Sequence, residues 1–320
     1  MAHIQRRGGV GIGVEASGTP GTAVSPAYWL QVAGDPTIND KFEFENIETA
    51  RGRVEKSQGQ KVMKKKGEGS IELIMDEIVS PILFGLILGS NVDASAGGGL
   101  HTHTSTINNT NTPKTATLVL DRVVDVRQFT YTVLTGLELN VGDGFATMKL
   151  DFVSKESASG TASESYSTVT NFSFKELTAK FGTDVSAANS ASATPLSGVK
   201  LSIKREAEPI YQSGSTTPNK FVYKTLETSG NYSLLFESVT DRDKYLNETA
   251  NAMILTFTDV DGNIVKITLS RVLINNWEPN NSLNDIVAQT AEFIAHYDAT
   301  QTESIRVVVT NDVASYTNLA

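Results

Sequence analysis

Apolar and polar residues alternate with period two along most of this chain. Phe42 and Phe44 are separated and followed by Glu43 and Glu45, and Ile71, Leu73 and Met75 continue the rhythm. Leu137 and Leu139 alternate with Glu138 and Asn140; Met148, Leu150 and Phe152 alternate with Lys149 and Asp151. Successive strand side chains point to opposite faces, so these segments read as strands with one face buried and one in water. Ile254–Thr258 and Ile264–Leu269 flank Asp261-Gly262, the signature of a tight hairpin. An ordinary β-sandwich would carry the same alternation. Helical signals are few. Ser80 is placed to cap, Pro81 suits a first helical position, and Ile82–Leu88 is apolar until Gly89 stops it. Thr240–Glu248 forms a shorter helix, polar on one side.

The pattern occurs twice. Gly69–Asp76 (GSIELIMD) lines up with Gly230–Glu237 (GNYSLLFE) at an offset of 161, from 69 to 230. Lys41–Glu45 matches Leu201–Arg205 in alternation, and the helix starts Ser80 and Thr240 keep the same offset of 160. Thr147–Leu150 matches Thr290–Phe293 at a smaller offset, 143, so the first half carries an insertion between these anchors. The segment Gly97–Lys114 (GGGLHTHTSTINNTNTPK) has loop composition and is as long as the difference between the two offsets. Each half reads as a sheet braced by one helix. A doubled domain provides two places in a ring that symmetry would otherwise fill with two chains. Two long connections, Glu45–Lys66 and Ala207–Lys220, exceed ordinary hairpin loops and are expected to reach a neighbour. The division expected is an N-terminal arm (1–27), too glycine-rich for a core, and a first β domain (28–157). A Ser/Thr/Ala-rich linker (158–171), a second β domain (172–298) and a C-terminal arm (299–320) follow.

Composition narrows the function. A 34.4 kDa chain with 39% hydrophobic and 20% charged residues suits two ordinary soluble domains. No apolar run reaches the length of a membrane span, and the N-terminal segment lacks the apolar core of a signal peptide. With no cysteine, disulfides, thiol catalysis and Cys-ligated zinc are excluded. The net charge is −9, and the one concentrated basic run is Lys61–Lys66. Tight DNA binding needs a broad basic surface, so DNA would slide past this protein rather than adhere. The run reads as a hairpin tip or a partner for acidic patches on another copy.

No catalytic or cofactor site emerges. Gly9, Gly11 and Gly13 lack the spacing of a phosphate loop. His101 and His103 lack a third ligand nearby and read as a solvated loop pair, with His3 and His296 elsewhere. Asp241, Asp243 and Glu248 suit a helix start, where the dipole favours carboxylates, and lack calcium-loop spacing. Ser57-Gln58-Gly59 and Ser229-Gly230 are turn residues, not nucleophile elbows. Trp29 and Trp277 read as packing anchors. Catalytic residues, metal and cofactor are therefore all expected to be none.

Gly11-Ile12-Gly13-Val14-Glu15, Gly18–Ala23 and Tyr28-Trp29-Leu30, followed by Ala50-Arg51-Gly52, Gly67–Ile71, Leu86–Gly89 and His101–Thr104 before Leu118–Asp121, come in telling order. In that order they resemble the tail tube (major tail) proteins of long-tailed bacteriophages, most clearly over residues 8–160. The resemblance implies a mainly β fold, with two tandem tube-type sandwich or barrel domains, each braced by one short helix, and terminal arms. It implies a structural virion protein of the non-contractile tail, assembled in the host cytoplasm into stacked rings with a continuous inner β-barrel and a polar, acidic lumen. The genome would leave through that lumen without specific binding. Partners implied are further copies of itself, in trimers acting as pseudo-hexamers, and the tape measure, tail terminator and tail tip or baseplate proteins. Arg51, Arg53, Lys61, Lys64, Lys65, Lys66, Tyr211 and Gln212 are candidates for ring stacking, and Leu150, Phe152 and Phe293 for the barrel wall. The inner tube of a contractile tail shares the fold and is a close rival. A surface-displayed carbohydrate-binding or adhesin-like β protein is the alternative from another class; it needs an exposed aromatic platform.

Overall fold

The computed structural model describes residues 8–280 and 286–319; His3 and the rest of residues 1–7 lie outside them. In chain order the first half contains β1 (Val10–Val14), β2 (Tyr28–Trp29), β3 (Thr37–Asn46), β4 (Gln60–Ile74) and α1 (Ser80–Leu88). It continues with β5 (Gly89–Gly97), β6 (Leu100–Ile107), β7 (Ala116–Asp121), β8 (Val126–Val141), β9 (Thr147–Ser154) and β10 (Ala158–Ser159). A 3-10 turn (Phe174–Glu176) leads to β11 (Leu177–Gly182), α2 (Val185–Ser190), β12 (Gly198–Ile210) and β13 (Lys220–Leu235). The chain ends through α3 (Thr240–Leu246), β14 (Asn251–Thr258), β15 (Ile264–Pro279), β16 (Ala288–Ala295) and β17 (Ile305–Asn311). The protein is mainly β.

One antiparallel wall runs through the molecule in the order β3–β4–β9–β8–β12–β13–β16–β15. Four strands come from each half, and the pairing order in the second half repeats that in the first. The alternation expected from sequence decides the faces. Ile71, Leu73, Leu137, Leu139, Met148, Leu150, Phe152, Leu201, Tyr232 and Phe293 turn inward to one continuous core. Burying side chains of this size stabilises by about 1.5–3 kcal/mol each, which holds the wall to the elements behind it.

Those elements are α1 and a second layer, β11–β14–β15–β17–β6–β5. β15 serves both layers, changing partner around a register shift between Ile274 and Asn276. β8 does the same with a shift between Leu134 and Gly136; its first part pairs with β7 and β10. Every residue of α1 is buried. Its cap differs from expectation. Asp76, not Ser80, receives the first backbone N–H groups, from Val79 at 2.6 Å and Ile78 at 2.9 Å. The Ser80 hydroxyl donates back to the Asp76 carbonyl. Gly89 ends the helix in the left-handed region, φ 90°.

Four expectations are corrected. The segment 1–27 reads as too glycine-rich for a core, yet Val10–Val14 is a buried strand paired with β7. Gly11 and Gly13 serve close approach there: a Cβ would sit 2.7 Å from Pro26 Cβ and 2.6 Å from the Ser25 carbonyl. The expected loop Gly97–Lys114 contains β6, because the β-branched Thr102, Thr104 and Thr106 suit a strand whose other face buries His103 and Ser105. The C-terminal segment is no free arm over β17, which lies between β15 and β6 and so joins the two halves. Finally, Lys61–Lys66 belongs to β4 and not to a loop, and the connection proper spans 47–59.

Candidate assembly surfaces

The halves meet edge to edge where β8 pairs with β12. Val141 faces Val199, Leu139 faces Leu201 and Leu137 faces Ile203, with Asn140 opposite Lys200 and Glu138 opposite Ser202. The Lys200 ammonium lies 2.8 Å from Glu138 on the water-facing side. Beyond the paired stretch, Arg205 occupies the same inward phase as Leu201 and Ile203 and is 4% exposed. Its Nη1 donates to the Ile87 and Leu88 carbonyls at 3.1 and 2.9 Å, and its Nη2 to those of Asn108 and Thr110 at 2.7 and 3.1 Å. The guanidinium also stacks 4.1 Å from the centre of the Tyr223 ring. A second-half cation thus closes the C-terminus of the first-half helix, where the dipole is negative. Burial lowers the Arg205 pKa and raises that of Tyr223. Sequence reading missed Arg205, although the period-two phase from Leu201 already placed it inside.

The wall ends in two strand edges that no described strand pairs: β3 on one side and the Leu273–Pro279 part of β15 on the other. Their positions correspond to those at the internal junction. Ile38 stands opposite Gly69 as Leu201 stands opposite Gly230, so β3 corresponds to β12 at an offset of 163, not the 160 expected for Lys41 and Leu201. Gly69 stands opposite Phe152 as Gly230 stands opposite Phe293, so these phenylalanines correspond at an offset of 141, not the 143 expected. Ile274 opposite Phe293 then matches Leu134 opposite Phe152, with the same register shift after each, and the end of β15 corresponds to the end of β8. Trp277, matching Leu137, stacks on Phe236 at 5.5 Å and donates its indole N–H to Gln289 at 2.7 Å. Trp29 is 7% exposed, so both tryptophans pack as anchors.

The structure brings only some of the basic candidates together. Lys65 donates its backbone N–H to Thr216 at 2.8 Å and its ammonium lies 3.0 Å from Glu156. Lys64 pairs with Glu43 at 3.1 Å and lies 5.3 Å from the centre of the Tyr211 ring, whose hydroxyl reaches the Lys65 carbonyl. Lys66 pairs with Glu68 at 3.0 Å. Hence Lys64, Lys65 and Tyr211 join the two hairpins within one chain, while Lys66 pairs along its own strand. Arg51, Arg53 and Lys61 stay exposed near the tip, and Gln212 only closes its own turn through Ser215. The distal hairpin also exposes Phe42 (44%), Phe44 (52%) and Ile47 (47%). Leu150, Phe152 and Phe293 lie on wall strands and face the core.

The histidines and carboxylates singled out in the sequence lie apart in the fold and serve packing and backbone contacts. His103 is fully buried, correcting the solvated-loop expectation, and sits between Asp93 at 2.8 Å and Asn311 at 2.9 Å. Among the described residues no group of three or more His, Cys, Asp or Glu is placed to hold a metal. Asp241 pairs with Lys244 at 3.1 Å in the first turn of α3. Burial raises Asp76 to about 6 and Glu77 to about 7, and both carboxylates are occupied with backbone N–H groups, Glu77 with that of Thr170 at 2.8 Å. Among the described residues no helix is long and apolar enough to cross a membrane.

A search against curated proteins finds no match. A family model described as phage tail tube protein matches residues 5–295. That match spans most of the chain, including both halves and the wall. The chain belongs to the phage tail tube protein family and is a structural component of the virion tail.

Proposed function

We propose that the chain is a doubled tube domain, and that three copies close into a ring which stacks into the tube through which the genome is ejected. The observation carrying this is the β8–β12 junction. It is an antiparallel pairing of the last wall strand of the first half with the first wall strand of the second, and their counterparts, the end of β15 and β3, remain unpaired at the ends of the wall. Repeating it between copies would set Pro279 of one copy opposite Ile38 of the next, Glu278 opposite Asn39 and Trp277 opposite Asp40. An open, long strand edge invites association, and closure into a barrel removes it.

Geometry favours three copies. With strands about 4.8 Å apart and tilted about 40°, a wall of four strands per half closes with three chains at roughly 48 Å between opposite backbones. Two chains would give roughly 32 Å, leaving no hydrated clearance around a duplex roughly 20 Å across once side chains line the bore. The water-facing side of the wall would form the lumen. It carries Glu72, Glu138, Glu227 and Glu292 but also Lys149, Lys200 and Lys204. The bore is then polar and of mixed sign, less acidic than the sequence led one to expect, and still lacks the basic surface that would hold DNA. The exposed aromatic hairpin tip with Arg51 and Arg53 is left to contact the next ring. Tape measure, terminator and tip proteins are the partners this role requires, and the doubling favours a non-contractile tail.

Introducing Asn39→Cys together with Glu278→Cys tests the seam against a cysteine-free background. Oxidised assemblies should yield covalent species ending at three chains, and electron micrographs should show tubes with three-fold rotational symmetry. A six-fold ring of whole chains would refute the proposal.

A further inference from the structure

The chain entering the second half adds a short strand to the first. Phe172 donates its N–H to the Met75 carbonyl at 3.0 Å and accepts from the Ala146 N–H at 2.9 Å, while Met75 N–H bonds Ala146 at 2.8 Å. Asn171 bridges Asp76, Ser173 bridges Phe145, and the Thr170 N–H reaches both oxygens of Glu77. Under this clamp Met75, Val79 and Ala146 are 0%, 3% and 0% exposed.

The corresponding place in the second half is open. Phe236 N–H bonds the Val287 carbonyl at 3.0 Å, as Met75 bonds Ala146. Among the described residues, no hydrogen bond engages the Phe236 carbonyl or the Val287 N–H, the groups equivalent to those that Phe172 bridges. Leu235, Val239 and Val287 are 49%, 43% and 53% exposed. Glu237, which matches Asp76, is exposed as well.

Register identifies what would fill the place. Val10 stands opposite Leu120 and Leu177 opposite Phe257, each one pair before the last pair of its hairpin, Asp121 with Val126 and Thr258 with Ile264. Val10 therefore corresponds to Leu177, and positions 3–7 (His3, Ile4, Gln5, Arg6, Arg7) correspond to 170–174. We infer that residues 3–7 of one copy add a strand to the second half of the neighbouring copy in the same ring, with Gln5 bridging the Phe236 carbonyl and the Val287 N–H. This rests on the ring reading above, because the seam between β15 and β3 brings the two places together. Two further features fit. Arg6 and Arg7 would meet the exposed Glu237, and the added strand would cover the apolar patch at Leu235 and Val239. The linker would then act between halves as the N-terminal segment acts between copies.

The bridge Asn171–Asp76 becomes Ile4–Glu237 in this arrangement. Cα atoms of directly opposed antiparallel residues lie about 4.5–5.5 Å apart, within disulfide range. Full-length Ile4→Cys/Glu237→Cys protein is therefore oxidised under assembly conditions beside the Asn39→Cys/Glu278→Cys seam control, and both are resolved on non-reducing gels. The inference expects both pairs to give covalent multimers ending at the same number of chains. If the seam pair links and the Ile4/Glu237 pair stays unlinked, or closes within a single chain, the inference is overturned and the ring reading stands. If neither pair links, both are overturned.

Discussion

Replacing Arg205 by methionine tests how the halves are held together. The change keeps the stem that packs on Tyr223 but removes donors to four carbonyls contributed by the end of α1 and residues 108 and 110. Charge-assisted bonds contribute about 1.5–3 kcal/mol each in gross terms, and the stack on Tyr223 about 1–2 kcal/mol. Against this stands the desolvation of a guanidinium that has no carboxylate beside it, several kcal/mol. Methionine needs no such hydration, but it leaves buried carbonyls without partners. The Leu88 carbonyl keeps a bond from the Asn108 N–H at 2.8 Å, so it loses least. The expected net loss is about 3–5 kcal/mol. Lysine should recover part of it, since a single ammonium cannot span all four acceptors. Urea unfolding of unassembled protein, followed by circular dichroism, measures the difference. A loss below about 1 kcal/mol for Arg205→Met would refute the argument that this cation closes the helix, because a missing donor to buried carbonyls cannot cost so little. Equal losses for lysine and methionine would refute its electrostatic part.

Other outcomes follow from separate features. Gly230→Ala should destabilise by about 2–4 kcal/mol in thermal unfolding, since its Cβ would lie 2.2 Å from the Lys200 carbonyl within the β12–β13 pairing. Glu77 has its pKa raised by burial from 4.5 to about 7, so the native state holds this proton more tightly than the unfolded chain. Its contribution to stability is fully present below pH 4.5 and is lost as pH rises through about 7, and Glu77→Gln should flatten the melting temperature between pH 5 and pH 8. Phe42→Ser with Phe44→Ser should shift stability by less than about 1 kcal/mol, because both rings are already exposed, while sharply slowing tube growth measured by light scattering. Unchanged growth would remove the hairpin tip from the stacking surface.

The wall was legible in the chain because period two is a local property. Leu137, Leu139, Leu150 and Phe152 declare their face within a few residues, whatever they later pair with. The α1 core and the Gly89 stop are local in the same way. So were the lack of cysteine, which excluded thiol and disulfide chemistry, and the scarcity of basic residues, which argued against tight DNA binding. Pairing partners are another matter. Val10–Val14 reads as a glycine-rich arm until Pro26 and Trp29 are seen pressed against Gly11, and Leu100–Ile107 reads as a loop until β17, from the far end of the chain, lies beside it. Arg205 shows the division within one residue. Its inward phase was written in Leu201 and Ile203, but the carbonyls that make an unpaired buried cation tolerable come from a helix end in the other half of the chain. Alternation tells each strand which side is dry. Which edge meets which neighbour depends on register and on contacts between distant segments, and those exist only once the chain has folded.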